Sequence, residues 1–151
     1  MEFFMKNLSI VITMLLLFTA CSNSGQSIEG TWKLLEGTVI QGKDTLVTDY
    51  TQDREMIKII NDKHFAFLHH DLTKGQQEEP VFVSGGGRYT LHGDKYTEHL
   101  DYCNYREWEN HVFEFTVKLT GDTLITKGIE KVEALNIEQI NIEVYIKIFE
   151  K

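Results

Sequence analysis

Proline is nearly missing from this chain: Pro80 is the only one in 151 residues, which leaves no proline-rich linker between domains. Cysteine occurs only at Cys21 and Cys103, and no CxxC or HExxH pattern marks a zinc site. Positive charge is also short. Fifteen Lys and Arg face 23 Asp and Glu, a formal net charge of −8. That balance argues against nucleic acid, which demands a basic patch, and against anionic lipid headgroups. Internal repeats and low-complexity runs are absent, and helical periodicity nearly vanishes after residue 21. The length suits one domain with a real core.

The amino terminus sets the expected address. Lys6 precedes LSIVITMLLLFTA, an apolar run too short to span a bilayer comfortably and ending in small residues. The run Leu17-Phe18-Thr19-Ala20-Cys21 resembles a bacterial lipobox, with Phe18 where Leu is usual. The resemblance implies a signal peptide over 1–20, lipidation of Cys21, a polar tether over 21–27 and a folded domain over 28–151. Several acyl chains on one cysteine anchor stably, whereas a single chain binds marginally. Ser22 then favours the outer membrane, with the domain facing the periplasm. An ordinary secretory leader is the alternative. Lipidation would leave Cys103 as the free thiol, with no disulfide expected.

Beyond the leader, short alternating segments separated by polar turns signal an all-β fold. Strands are expected at Gly30–Leu35, extending toward Ile40, and at Thr45–Asp49, Met56–Ile60, His64–His70, Arg88–Leu91, Lys95–Tyr102, His111–Leu119, Thr123–Ile129 and Glu138–Phe149. His92-Gly93-Asp94 is a hairpin turn with Gly supplying positive φ. Gly85-Gly86-Gly87 reads as a hinge, bend or bulge where the sheet turns a corner. In the last strand, hydrophobicity puts Ile140, Ile142, Val144, Ile146 and Ile148 in the core. About eight to ten antiparallel strands fit an up-and-down barrel, which leaves no open edge. A two-sheet sandwich is the alternative.

Ile28-Glu29-Gly30-Thr31-Trp32-Lys33-Leu34 carries the Gly-x-Trp pattern that opens lipocalins and fatty-acid-binding proteins, and Tyr145–Lys151 looks like their closing strand. Together with GGGRYTLHGDKYTEHLDY and IKIINDKHFAFLHHD, these stretches resemble a bacteroidal domain-of-unknown-function family of lipocalin-like lipoproteins, within the calycin superfamily. The resemblance implies a latch of Gly30, Trp32 and Lys147, with the lysine over the indole. The even-numbered core of the last strand places that latch on the outside of the barrel floor. Two features depart from fatty-acid-binding proteins. Glu36–Asp49 is too short for a helical lid, and Lys147-Ile148-Phe149 lacks their Arg-x-Tyr carboxylate clamp.

Chemistry-bearing residues are few. His99, Asp101 and Cys103 alternate on one strand face but converge poorly on a tetrahedral metal, so no metal is expected. Of His69-His70-Asp71, at most one histidine can serve any site. Ser84 lacks the strand-to-helix elbow of a hydrolase nucleophile. No catalytic set and no cofactor site is visible, so the reading is non-enzymatic. One stripe on the central hairpin, through Tyr89, Leu91, Tyr96, Glu98, Leu100 and Tyr102, mixes aromatic, apolar and charged groups as ligand pockets do. The expected ligand-binding residues are Tyr89, Tyr96, Glu98, Tyr102, Phe113 and Phe115. The expected function is binding of a small hydrophobic or amphipathic molecule by a membrane-anchored lipoprotein. The alternative is a barrel with a filled core that meets another protein of the cell envelope.

Overall fold

Alternation of apolar and polar residues builds nine antiparallel strands in the computed structural model, which describes Ser27–Phe149. The expected signal peptide and Cys21 lie outside these residues. The strands are β1 (Gly30–Gln41), β2 (Asp44–Asp49), β3 (Arg54–Ile60), β4 (His64–Asp71), β5 (Phe82–His92), β6 (Lys95–Cys103), β7 (His111–Thr120), β8 (Thr123–Val132) and β9 (Ile137–Ile148). Each pairs with its neighbours in the order β2-β1-β3-β4-β5-β6-β7-β8-β9, and β1 also pairs with β9. Eight strands therefore close a barrel and β2 is an extra strand. One edge of β1 meets β3 through Gly30–Lys33 and then β2 through Glu36–Gln41. The sandwich alternative is thereby excluded.

The two ends of the barrel differ. At one end, short turns join β3 to β4, β5 to β6 and β7 to β8. Asn61 Oδ1 accepts the backbone N–H groups of Lys63 and His64 at 3.0 and 2.8 Å, shaping the first of these turns. This end is plugged by Ile28, Trp32, Leu34, Phe65, Tyr96, Leu124 and Tyr145, all at most 3 % exposed. Trp32 Nε1–H donates to the Ile28 carbonyl at 2.8 Å, so the indole is buried without an orphaned donor. The longer connections 72–81 and 104–110 and the turn Glu133–Leu135 border the other end.

β9 reverses the expected phase. Its inward residues are Gln139, Asn141, Glu143, Tyr145 and Lys147, which pair with the inward residues of β8 and β1: Glu143 with Thr126 and Gly37, Tyr145 with Leu124 and Leu34, Lys147 with Trp32. Tyr145 is fully buried while Ile148 is 42 % exposed. The isoleucines at even positions line the outer wall, half covered by cross-strand neighbours such as Lys33 and Ile125. Hydrophobicity marked one face of this strand correctly as continuous, but that face is outside. The latch consequently sits in the inward register. Lys147 Nζ lies 5.3 Å from the Trp32 ring centroid, a contact worth about 0.5–2 kcal/mol. Gly30, at φ 138°, leaves room for it, since a Cβ there would meet Lys147 Cε at 2.8 Å.

The three glycines lie inside β5 rather than ahead of it, opposite a bulge in β6. Gly86 faces Tyr102 whereas Arg88 faces His99, so Gly87 has both Leu100 and Asp101 opposite it. The extra residue shifts the phase of β6. Tyr96, Glu98 and Leu100 point inward, Tyr102 points to solvent at 72 % exposure, and Cys103 turns in at 8 %. Tyr102 is therefore not a cavity residue. The same bulge separates the strand trio His99, Asp101 and Cys103. Asp101 accepts two hydrogen bonds from the Arg88 guanidinium, each at 2.9 Å, on the outside.

The loop after β4 is held by one carboxylate. Asp71 Oδ1 accepts from Thr73 Oγ1 at 2.6 Å and Gly75 N at 2.8 Å, and Oδ2 accepts from Val81 N at 2.9 Å. These bonds, led by the Thr73 hydroxyl, hold its pKa well below the ordinary 3.8. A carboxyl lowered in the folded state stabilises above its unfolded pKa, and that contribution disappears as pH falls through the folded value. Urea unfolding of the native chain and an Asp71→Asn variant should therefore show the native chain more stable above about pH 4. The difference should shrink steadily in more acid solution. A difference independent of pH would show that the carboxylate charge plays no part.

Candidate functional site

The half of the barrel away from Trp32 is hollow. A cavity of about 380 Å³ opens beneath the 104–110 connection, walled by Tyr50, Met56, Phe67, Leu100, Cys103, Trp108, Phe113 and Phe115. Lys58, His69, Glu98, Glu130 and Glu143 supply its polar groups. The mouth is shaped locally by the sequence after β6. Asn104 accepts from Ser84 N at 2.8 Å and donates to the Phe82 carbonyl at 3.0 Å. Glu109 accepts Cys103 N at 3.0 Å and Arg106 Nε at 2.9 Å. The short turn Arg106–Trp108 then lays Trp108 against Phe113, with ring centroids 5.9 Å apart. Across the opening, Tyr50 and His69 pack at 5.2 Å.

A buried charge network forms the cavity floor. Lys58 is 4 % exposed and is the one buried lysine among the described residues. Its Nζ donates to Glu98 Oε1 at 2.6 Å and lies 3.9 Å from Glu143 Oε2. The rings of Phe65, Tyr145 and Tyr96 surround the ammonium at 5.5, 5.6 and 5.8 Å. Burial alone would lower the Lys58 pKa, but Glu98 and Glu143 outweigh it and hold the group above the usual lysine value. The carboxylates thus favour the ammonium form of Lys58, which is paired with Glu98.

Glu143 Oε2 also accepts the Tyr145 hydroxyl at 2.7 Å and Thr126 Oγ1 at 3.3 Å. Burial, reinforced by the Glu143 charge, raises the Tyr145 pKa far above its ordinary value. Glu130 is served differently. Gln139 Nε2 and Asn141 Nδ2 each donate to it at 2.9 Å. Burial nevertheless raises its pKa above the ordinary carboxyl range. His69 is pushed down, first by burial and then by Arg54, which favours the neutral imidazole. Burial raises the Cys103 thiol, which makes it a poor nucleophile.

Of the residues the sequence singled out, Glu98, Phe113 and Phe115 line the cavity. Tyr96 is 1 % exposed and sits in the plug beside Lys58, its hydroxyl without a hydrogen-bond partner among the described residues. Tyr89 packs on Tyr96 at 5.3 Å, and its hydroxyl donates to the Asn61 carbonyl at 2.6 Å at the closed end. Sequence reasoning missed Lys58, Glu130 and Glu143. The available signal is partial: Glu143 shares a strand phase with Tyr145, whereas Lys58 lies in a run that is apolar in both phases.

No protein-family model and no curated protein matches the chain. Among solved structures, a lipocalin-like protein from Bacteroides uniformis is similar, with 16 % sequence identity and a TM-score of 0.47. The match covers 80 % of this chain and 97 % of that one. The chain is an all-β, closed antiparallel barrel of eight strands with one extra strand, on the strength of its own strand pairing.

Proposed function

We propose that this barrel binds one small amphipathic molecule in its hollow half. A cavity of about 380 Å³ with aromatic walls and a polar floor carries this reading, because such enclosures bury an apolar body and orient it by a few polar groups. Side chains fill the end around Trp32 and Tyr145, and the space for a ligand lies in the other half. Binding rather than catalysis is favoured by the state of the polar groups, since Lys58 is committed to Glu98 and the Cys103 thiol is raised by burial. In the cell we place the domain at the outer membrane, facing the periplasm and tethered through a lipidated Cys21. The motif that supports this is Leu17-Phe18-Thr19-Ala20-Cys21.

The test is titration of the chain with prodan, an uncharged dye whose emission shifts in apolar surroundings. One saturable site is expected, and since Val83 also lines the cavity, Val83→Trp should fill part of it and weaken binding at least tenfold while the far-UV circular dichroism stays unchanged. Dye binding unaffected by Val83→Trp would place the site elsewhere.

A further inference from the structure

Inside the cavity, carboxylates outnumber cations. Three carboxylates, Glu98, Glu130 and Glu143, line it together with one ammonium, Lys58. Lys58 is taken by Glu98 at 2.6 Å, and Glu143 keeps only a longer contact of 3.9 Å. The contacts of Glu143 with Thr126, Tyr145 and Lys58 all fall on Oε2, so Oε1 has no donor among the described residues. Glu130 has amide donors but no cation. His69 Nε2, on the same lining, is buried with no hydrogen-bond partner among the described residues.

We propose that the ligand is an organic cation, a protonated amine or guanidinium on an aromatic or apolar body, held between Glu130 and Glu143 with its body against Trp108, Phe113 and Phe115. The proposal rests on the reading that the cavity binds a small molecule. A carboxylate ligand would face three like charges, and the one cation that could receive it is already paired. A cation instead supplies the donor that Glu143 Oε1 lacks. The aromatic or apolar body meets the aromatic wall of the same cavity. Glu130, whose charge burial disfavours, would gain the partner that it lacks.

Isothermal titration of the full chain with three probes sharing one ring system tests this. Tryptamine carries the cation, tryptophol is neutral and indole-3-propionate is the anion. Tryptamine should bind at least tenfold tighter than either of the others. Glu130→Gln, which keeps the shape and removes a charge, should weaken tryptamine at least fivefold and leave tryptophol unchanged. Should that variant lose its near-UV circular dichroism, the three-probe comparison on the unaltered chain decides alone. Tryptophol or indole-3-propionate equalling tryptamine would overturn the cation assignment while leaving the binding cavity in place. So would a failure of tryptamine to bind while prodan binds, or a folded Glu130→Gln variant with full tryptamine affinity. Failure of all three probes and of prodan would overturn both readings.

Discussion

Replacing Lys58 by methionine should destabilise the barrel by about 3–5 kcal/mol, read from urea unfolding, because it leaves buried carboxylates without their cation. The side chains of Lys58 and Glu98 are 5 and 8 % exposed and meet at 2.6 Å. Water reaches this pair only from the cavity side. The apolar stem of methionine keeps the packing against Phe65, Tyr96 and Tyr145, so the loss reports charge rather than volume. A second variant separates the pair from its surroundings. Adding Glu98→Gln to Lys58→Met should recover a large part of the loss, since removing both members of a buried pair is often nearly neutral. Glu143, with a side chain 14 % exposed, remains to be solvated from the cavity side. A single-variant loss below about 1 kcal/mol would match an exposed ion pair instead and contradict the buried network.

The second large effect concerns Gly87→Ala, which should cost about 3 kcal/mol or more or prevent folding altogether. A Cβ at Gly87 would run into the His99 carbonyl and stand 2.7 Å from Asp101 N. Both are backbone atoms of the adjoining bulge and cannot rotate away. Relief requires undoing the bulge, which would return Tyr102 to the inside and turn Cys103 out. Gly93→Ala is the control. A Cβ there meets nothing within 4 Å, and only its φ of 65° is unfavourable, at about 1–2 kcal/mol. Circular dichroism and urea midpoints of the two variants should differ clearly. Equal midpoints would mean that the bulge carries no special constraint.

How far the sequence could be read depended on what each strand shows. Alternation in His111–Leu119 is unambiguous, with Phe113, Phe115 and Val117 buried between exposed polar residues, and the strand was legible at once. Met56-Ile57-Lys58-Ile59-Ile60 is apolar in both phases, so nothing local shows that Lys58 faces inward and Ile59 outward. The closing strand misleads for a related reason. Its inner face is polar because it borders the cavity, and its isoleucines cover the outer wall. The same even-numbered pattern puts the Trp32–Lys147 latch on the outside of the barrel floor, whereas the structure holds it in the inward register. Three glycines announce an irregularity, but the bulge lies across from them in β6, and their number does not reveal where the phase slips. Alternation alone therefore puts Tyr102 on the inner face, whereas the structure exposes it. The charge network joins β3, β6 and β9, and no local pattern links Lys58 to Glu98 and Glu143.

The most direct measurement is native mass spectrometry of the protein after incubation with bacterial envelope extract. The hollow half predicts a discrete added mass at one-to-one stoichiometry, lost on unfolding and lost in Val83→Trp. A bare protein mass across several extracts, in both the native chain and the variant, would contradict the claim that this barrel is built around a ligand.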